Sequence, residues 1–360
     1  MHPAGLSTVL EEVGSSRADG ENPENSASNR ARVSQSAFKH LGLLDRFLPL
    51  CIFLAMAIGI ILANLVPEAG PSLQRGRFVG VSVPIAVGLL VMMYPILCRV
   101  RYESLHQLLS RRTMWKQIAF SLFVNWIVAP FLMLALAWAF LPDKSALRTG
   151  LILVGLGRCI AMVLIWNGMV LFAPLAVFFL RVISGELGTT LGIPYEVVAT
   201  SVAVFLGIPL GAAVVTRFVL RAVAGGDWYQ RVFLRFASPW SLIGLLYTIL
   251  ILFASQGRQV VHQIVSVLRV AAPLMVYFVL IFFLTLCISR LLGFKFPFLV
   301  AQSFTAASNN LELAIAVAIA TFDPDSDQAL ASTVGPLIEV PVLMGLVYAV
   351  RCMATRWRWN

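Results

Sequence analysis

SFTAASNNLELAIAVAIA, Ser303–Ala320, runs five small polar side chains (Ser303, Thr305, Ser308, Asn309, Asn310) and a carboxylate, Glu312, directly into an apolar helical pattern. It stands in a chain of 360 residues, 59% hydrophobic and 12% charged. Soluble domains carry about a quarter charged residues. The stretch is therefore a polar interruption inside a membrane span. A charge at mid-bilayer costs roughly 2.5–3.5 kcal/mol on insertion scales, so such a group faces a bundle interior or a watery cavity. Ser, Thr and Asn side chains satisfy backbone groups released where a membrane helix breaks. Carriers build binding sites from broken helices at the midplane. This reading predicts a break in the span around Ser308–Asn310, with Glu312 beside it.

Working outward, eight apolar segments lie at 47–66, 79–98, 117–141, 197–216, 238–254, 270–289, 297–321 and 329–350, and a longer run of 36 residues at 147–182. About 20 apolar residues span a bilayer as helix. Lys and Arg cluster in alternate loops, as cytoplasmic loops do. If the long run crosses twice, the N-terminal tail, the loops 99–116 and 217–235, Arg290, Lys295 and the C-terminal stretch hold 19 of the 27 basic residues. Seven lie in the opposite loops with Asp323, Asp325 and Asp327, and the remaining one is Arg158. A single crossing would flip the loop 217–235 and weaken this bias. The pattern thus predicts an all-α polytopic membrane protein with ten transmembrane helices and both termini in the cytosol. Ten helices suggest two inverted five-helix repeats, about 41–182 and 196–352, within a transporter domain 41–352. Residues 1–40 are polar and read as a disordered cytosolic tail, and 353–360 as a second tail. The +10 net charge reads as loop charge that sets topology, not as a nucleic-acid surface.

In the first half the matching polar-interrupted segment is RTGLILVGLGRCIAMVLIWN (Arg148–Asn167), with Gly155, Gly157, Arg158 and Cys159 at its centre. After Asn167 no loop follows, and only about 15 apolar residues remain, so the fifth helix reads as truncated.

Chemistry rests on few groups. Glu312 is expected to take and release a proton or sit against a coupling cation. The bland alternative is a structural ion pair of Glu312 or Glu339 with Arg158. Glu339, between Pro336 and Pro341, is a second proton-coupling candidate, or it caps a kinked helix. Glu196 lies near a helix end. Cys159 follows Arg158, and a fixed positive charge favours the thiolate, which selects soft centres such as trivalent arsenic or antimony. The other cysteines (Cys51, Cys98, Cys287, Cys352) are scattered and show no disulfide or zinc spacing. No cofactor, nucleophile–base set or ATP-binding GxxxxGK[ST] motif is legible in the sequence, which argues against an enzyme; ATP drive would need a separate soluble ATPase subunit.

GLGRCIAMVLIWN (155–167), FTAASNNLELAIAVAIATF (304–322) and GPLIEVPVLMGLVYAVR (335–351), with YPILCRVRYE (94–103) and LDRFLP (44–49), closely resemble the arsenite efflux carriers of the arsenical-resistance permease family. These belong to the bile acid, arsenite and riboflavin transporter superfamily. The resemblance covers most of residues 40–352. It implies crossed broken helices four and nine, and export of trivalent arsenite, and sometimes antimonite, in exchange for protons at the plasma membrane, with the vacuolar membrane as alternative. It implies that Cys159 and Glu312 are needed for transport. From the residues themselves, Arg158, Asn309 and Asn310 are expected to line the substrate site with Cys159 as the ligand of the metalloid, and Glu339 to join Glu312 in proton coupling. The sequence departs from the family where Asn167 runs into GMVLFAPLAVFFL: an acidic residue, a polar loop and a helix carrying an Asn are missing, roughly 20 or more residues. Two alternatives remain: a sodium-coupled organic-anion carrier of the same fold, which would not need Cys159, and an inactive truncated relative.

Overall fold

A computed structural model describes residues 43–66, 68–100, 102, 112–158, 178–179 and 195–356. The two tails, Cys159 and nearly all of the expected fifth helix lie outside the described residues. By its contacts the chain divides into Met1–Leu54 and Ala55–Asn360. The first unit contains the start of α1 (Leu43–Leu65), where Leu50 and Leu54 are exposed. All that follows concerns the second.

After α1 come the short α2 (Ala69–Leu73) and a hairpin of β1 (Arg77–Phe78) and β2 (Val81–Ser82). Then come α3 (Val83–Cys98), α4 (Arg112–Phe123) and α5 (Ala129–Phe140), the last two joined through a wide helical turn at Val124–Val128. Helix α6 (Ser145–Leu156) ends the described part of the first half. In the second half, α7 (Tyr195–Val202) continues through a wide turn at Ala203–Gly207 into α8 (Ile208–Ala224). The brief α9 (Gly226–Trp228) and a wide turn at Tyr229–Phe233 lead into α10 (Leu234–His262), followed by α11 (Ile264–Leu291), α12 (Phe296–Ala307), α13 (Leu311–Phe322) and α14 (Asp327–Arg356).

The fold is all-α and polytopic, as the sequence predicts. Five continuous helical stretches are long and apolar enough to cross a membrane: Trp115–Phe140, Glu196–Ala224, Gly226–His262, Ile264–Leu291 and Asp327–Ala354. Shorter apolar helices accompany them, among them α6, α12 and α13. Large apolar side chains such as Ile58, Ile61, Val215, Phe218, Leu280 and Leu284 point outward. In water such a surface would be a liability; against lipid tails it is matched.

Two sets of helices position the site. In one, α3 packs along α10 and α8, and Ile85, Leu89, Met92, Met93 and Leu97 form its core with Phe205, Ala213 and Leu252. In the other, α11 lies against α12, α14 and α5, while α6 lies against α14 and α5. Helix α13 touches both: it packs on α14, α6 and α7, and its Ile315, Ala316 and Ile319 enter the core around α3.

The connections sort to two ends. At one end Arg77 pairs with Asp323 at 2.7 Å, the Gln259 amide donates to the Asp325 carbonyl at 2.8 Å, and Arg269 pairs with Asp143 at 2.5 Å. These are the loops read as lying opposite the basic ones. At the other end Arg217 and Tyr229 donate to the Cys98 carbonyl at 3.2 and 2.8 Å, and Tyr94 bonds Thr216 at 2.8 Å. The β1–β2 hairpin was not expected. Its turn residues Val79 and Gly80 have φ of 51° and 79°, the left-handed region that tight hairpins use. A Cβ on Gly80 would also lie 2.8 Å from the Ala320 Cα, so only glycine lets the turn seat on the end of α13.

Candidate functional site

Helix α12 stops at Ala307, the chain runs through Ser308–Asn310, and α13 starts at Leu311. The ninth span is broken where the polar run predicts it. Each loose end is met. The Ser308 N–H donates to the Phe304 carbonyl at 2.9 Å, and the Asn310 side chain accepts from the Leu313 N–H at 3.1 Å, a standard N-terminal cap. Helix α6 stops at Leu156, and the chain passes through Gly157 to Arg158; whatever continues the fourth span lies outside the described residues. The two breaks touch. Arg158 and Asn309 form an antiparallel bridge, and the Asn310 N–H donates to the Gly157 carbonyl at 2.7 Å. A Cβ on Gly157 would sit 2.8 Å from the Asn310 carbonyl oxygen, so this approach requires glycine.

Arg158 is fully buried. Its Nη2 donates to the Tyr277 hydroxyl at 2.7 Å and to Asn309 Oδ1, and its Nη1 reaches the Ala306 carbonyl at 3.5 Å. Among the described residues no ion pair joins it to Glu312 or Glu339. The alternative of a structural pair is not realised there, and a different balance takes its place. Arg158 follows the C-terminus of α6 and bonds a last-turn carbonyl of α12. A helix C-terminus carries about half a negative charge, so the end of α12 supplies part of a counter-charge, and the neutral Tyr277 and Asn309 supply the short hydrogen bonds.

The carboxylates occupy different surroundings. Glu312 lies in the first turn of α13, where the helix dipole favours a negative group. It lines two cavities. One is walled by Leu89 and Met93 of α3, Phe205 and Leu206, and Asn310. The other is walled by Ile85 and Leu89, by Leu245, Thr248, Ile249 and Leu252 of α10, and by Pro336. Glu312 therefore looks from the break toward the α3–α10 set. Glu339, on α14, holds the break from its own side: its Oε1 accepts from the Ser308 hydroxyl at 3.0 Å and the Asn309 N–H at 3.4 Å. Both prolines flanking it lie inside a continuous α14. Glu196 is exposed in the first turn of α7 and is not part of this cluster.

Five buried polar atoms around the crossing have no hydrogen-bond partner among the described residues: Arg158 Nε, Asn309 Nδ2, Asn310 Nδ2, Glu339 Oε2 and, further out, Asn125 Oδ1. Buried polar groups are nearly always satisfied; the same lack is found elsewhere among the described residues, at Ser82 and Ser289 for instance, but at the crossing it falls on four neighbouring groups, which is what a ligand site offers. Sequence reasoning placed Arg158, Asn309, Asn310, Glu312 and Glu339, and the structure brings these five together. Cys159, the residue after Arg158, lies outside the described residues. Tyr277 and the cavity wall of Met93 and Phe205 were missed; each sits in an apolar run whose local pattern says only core.

Comparison with known proteins adds to this geometry. The family model described as Sodium Bile acid symporter family matches residues 86–171 and 168–263. The chain is similar to the arsenical-resistance protein Acr3 of Corynebacterium glutamicum, 46% identical over 349 aligned positions that cover 91% of this chain and 92% of that protein. It is also similar to Acr3 of Alkaliphilus metalliredigens, at 30% identity over 86% of this chain and 92% of the relative. A Synechocystis protein described as an uncharacterized transporter is 31% identical over 88% and 91%. The two matched pieces of the family meet at residues 168–171, just after Asn167. Since 91% of 360 residues is about 328, about 21 of the 349 positions aligned with the Corynebacterium protein have no residue of this chain opposite them.

Proposed function

Because the chain belongs to the arsenical-resistance permeases of the sodium bile acid symporter family, we propose that it exports trivalent arsenite from the cytosol in exchange for protons. Antimonite, with the same soft trivalent centre, is its second cargo. The single observation that carries the reading is the crossing itself: two interrupted helices meeting through Arg158–Asn309 and Asn310–Gly157, with Glu312 turned into cavities beside it.

The cycle alternates access. Protons from outside load Glu312, and the site turns inward. Loss of the proton to the cytosol allows neutral arsenous acid to bind near Cys159, whose thiol chemistry suits arsenic. The Asn310 amide, whose Nδ2 is without a partner among the described residues, offers a donor to a cargo hydroxyl. The return step releases the cargo outside. Glu339 holds the ninth-helix break and serves as the second proton-binding carboxylate. The carrier resides in the plasma membrane with both termini cytosolic, the orientation supported by the basic loops.

One observation favours a second reading, a carrier that folds but does not transport: the family match falls into two pieces that meet at residues 168–171, just after Asn167. Efflux of trivalent arsenic from cells lacking their own exporter separates the two. The unmutated chain is expected to lower cell arsenic, and Cys159→Ala and Glu312→Gln to leave it high. An unmutated chain that reaches the membrane and moves no arsenic sinks the export reading. Efflux that survives Cys159→Ser and follows a sodium gradient would instead point to an organic-anion type of carrier.

A further inference from the structure

Arg158 has five N–H donors and few acceptors. The Ala306 carbonyl is at 3.5 Å, the long limit of a hydrogen bond, and Nε has no partner among the described residues. The guanidinium is thus held chiefly by Nη2, through Tyr277 and Asn309. Tyr277 is itself fully buried, and its ring lies 6.0 Å from the Arg158 head. It belongs to α11, which lies against α12, α14, α5 and α6, three of which carry or adjoin groups of the crossing. None of the three groups that bond Arg158 lines a Glu312 cavity. Asn309 links the guanidinium to the second carboxylate: its side chain accepts from Arg158 while its N–H donates to Glu339 Oε1. Glu339 Oε2 is left bare among the described residues. An unrestrained guanidinium would have unpaired donors beside unused carboxylate valence.

We propose that Tyr277 is a positioning residue of the crossing: its hydroxyl anchors the Arg158 guanidinium beside the last turn of α12, off both carboxylates and out of the Glu312 cavities. A neutral phenol suits this task. It accepts a strong charge-assisted hydrogen bond without neutralising the cation, so Glu312 and Glu339 stay available for protons and cargo. The inference rests on the crossing being the transport site, but its test does not need transport.

The test is arginine labelling by a small neutral dione, 2,3-butanedione, on the full chain in native membrane vesicles, read by peptide mass spectrometry. Arg217, also buried but in the α3–α8–α10 set, is the internal control for loss of fold. In the unmutated chain both arginines are protected. In Tyr277→Phe, Arg158 is expected to label about tenfold faster while Arg217 does not change, because the ring stays and only the anchor is lost. Equal labelling of Arg158 in the two proteins overturns the proposal. A joint rise at Arg158 and Arg217 overturns it too, since the hydroxyl would then merely support packing. In cells, Tyr277→Phe is expected to lower maximal arsenite efflux with KM within about twofold, because Tyr277 does not touch cargo. An unmutated chain without efflux counts against the export reading and leaves the labelling to decide the anchor.

Discussion

The described part of the fourth span, α6, ends where the ninth span breaks, and the two sites handle charge in opposite ways. At the fourth, a cation follows the end of α6 and draws on the last turn of α12, with neutral partners only among the described residues. At the ninth, a carboxylate sits in the first turn of α13, where the positive end of the helix dipole meets it. Buried charges ordinarily require a paired partner. Here neutral partners and a helix end share that role, Tyr277 and Asn309 with one last-turn carbonyl of α12 at Arg158 and the start of α13 at Glu312, and the two charges are left apart. A carboxylate bound to arginine could not cycle a proton; one balanced by a diffuse dipole can. The comparison teaches that ending helices at a crossing does two jobs: it frees backbone polarity for a ligand, and it supplies fractional charges beside ionisable groups without consuming them.

The strongest way to break this comparison is to reverse the sign at the fourth span. Arg158→Glu sets an anion, in place of a cation, beside the last-turn carbonyls of α12. Membrane yield, followed by fluorescence-detected size exclusion, is expected to fall by about tenfold or more. A yield equal to the unmutated chain would refute the dipole account. At the ninth span, Glu312→Gln keeps the shape and removes the charge. Efflux is expected to drop by about tenfold or more, equivalent to about 1.4 kcal/mol or more, while yield stays within about twofold. Equal losses of yield and efflux would make Glu312 structural.

The contact between the breaks is sharpened by Gly157→Ala, whose new Cβ meets the Asn310 carbonyl at 2.8 Å. Overpacking of this kind costs about 1–3 kcal/mol, read as a lower melting temperature in detergent. Gly211→Ala, with nothing within 4 Å of its added Cβ, serves as the neutral comparison, and equal melting of the two variants removes the steric argument. Asn310→Ala deletes the cap of α13 and should lower stability by about 1 kcal/mol.

The smallest effect lies far from the crossing. Arg269 holds the Asp143 carboxyl below its ordinary range. A depressed carboxylate adds stability that is present above its unfolded value of about 3.9 and lost as pH falls through the lower folded value. The pair is largely exposed and screened. Melting curves of the unmutated chain and Asp143→Asn should differ slightly above about pH 4 and converge below it; a difference that persists in acid would assign the effect to something other than this pair.

Much of this was legible in the residue string, and for a local reason. The break at Ser308–Asn310 is written as a run of polar side chains in one span, and Arg158 is the one basic residue left inside a span once the loops are counted. The irregularity at Asn167 showed as missing length, and the family match falls into two pieces at the same place. What was not legible has no local signature. The wide turns at Val124–Val128, Ala203–Gly207 and Tyr229–Phe233 interrupt nothing in the apolar pattern. Tyr277, in VYFVLIFF (Val276–Phe283), reads as one more core aromatic. The pairing of Arg158 with a glutamate was the bland alternative that two opposite charges in one bilayer left open, and among the described residues the geometry does not make it.

The sequence by itself determined that the chain lives in a membrane and where its ninth span breaks, because hydropathy and polar interruption act over a few neighbouring residues. Only the tertiary structure decided which carboxylate faces the cavities, which one clamps the break, and what balances Arg158. Its partners Tyr277 and Asn309 stand 119 and 151 residues away along the chain. A helix end becomes a counter-charge only once packing has carried it to the group it serves.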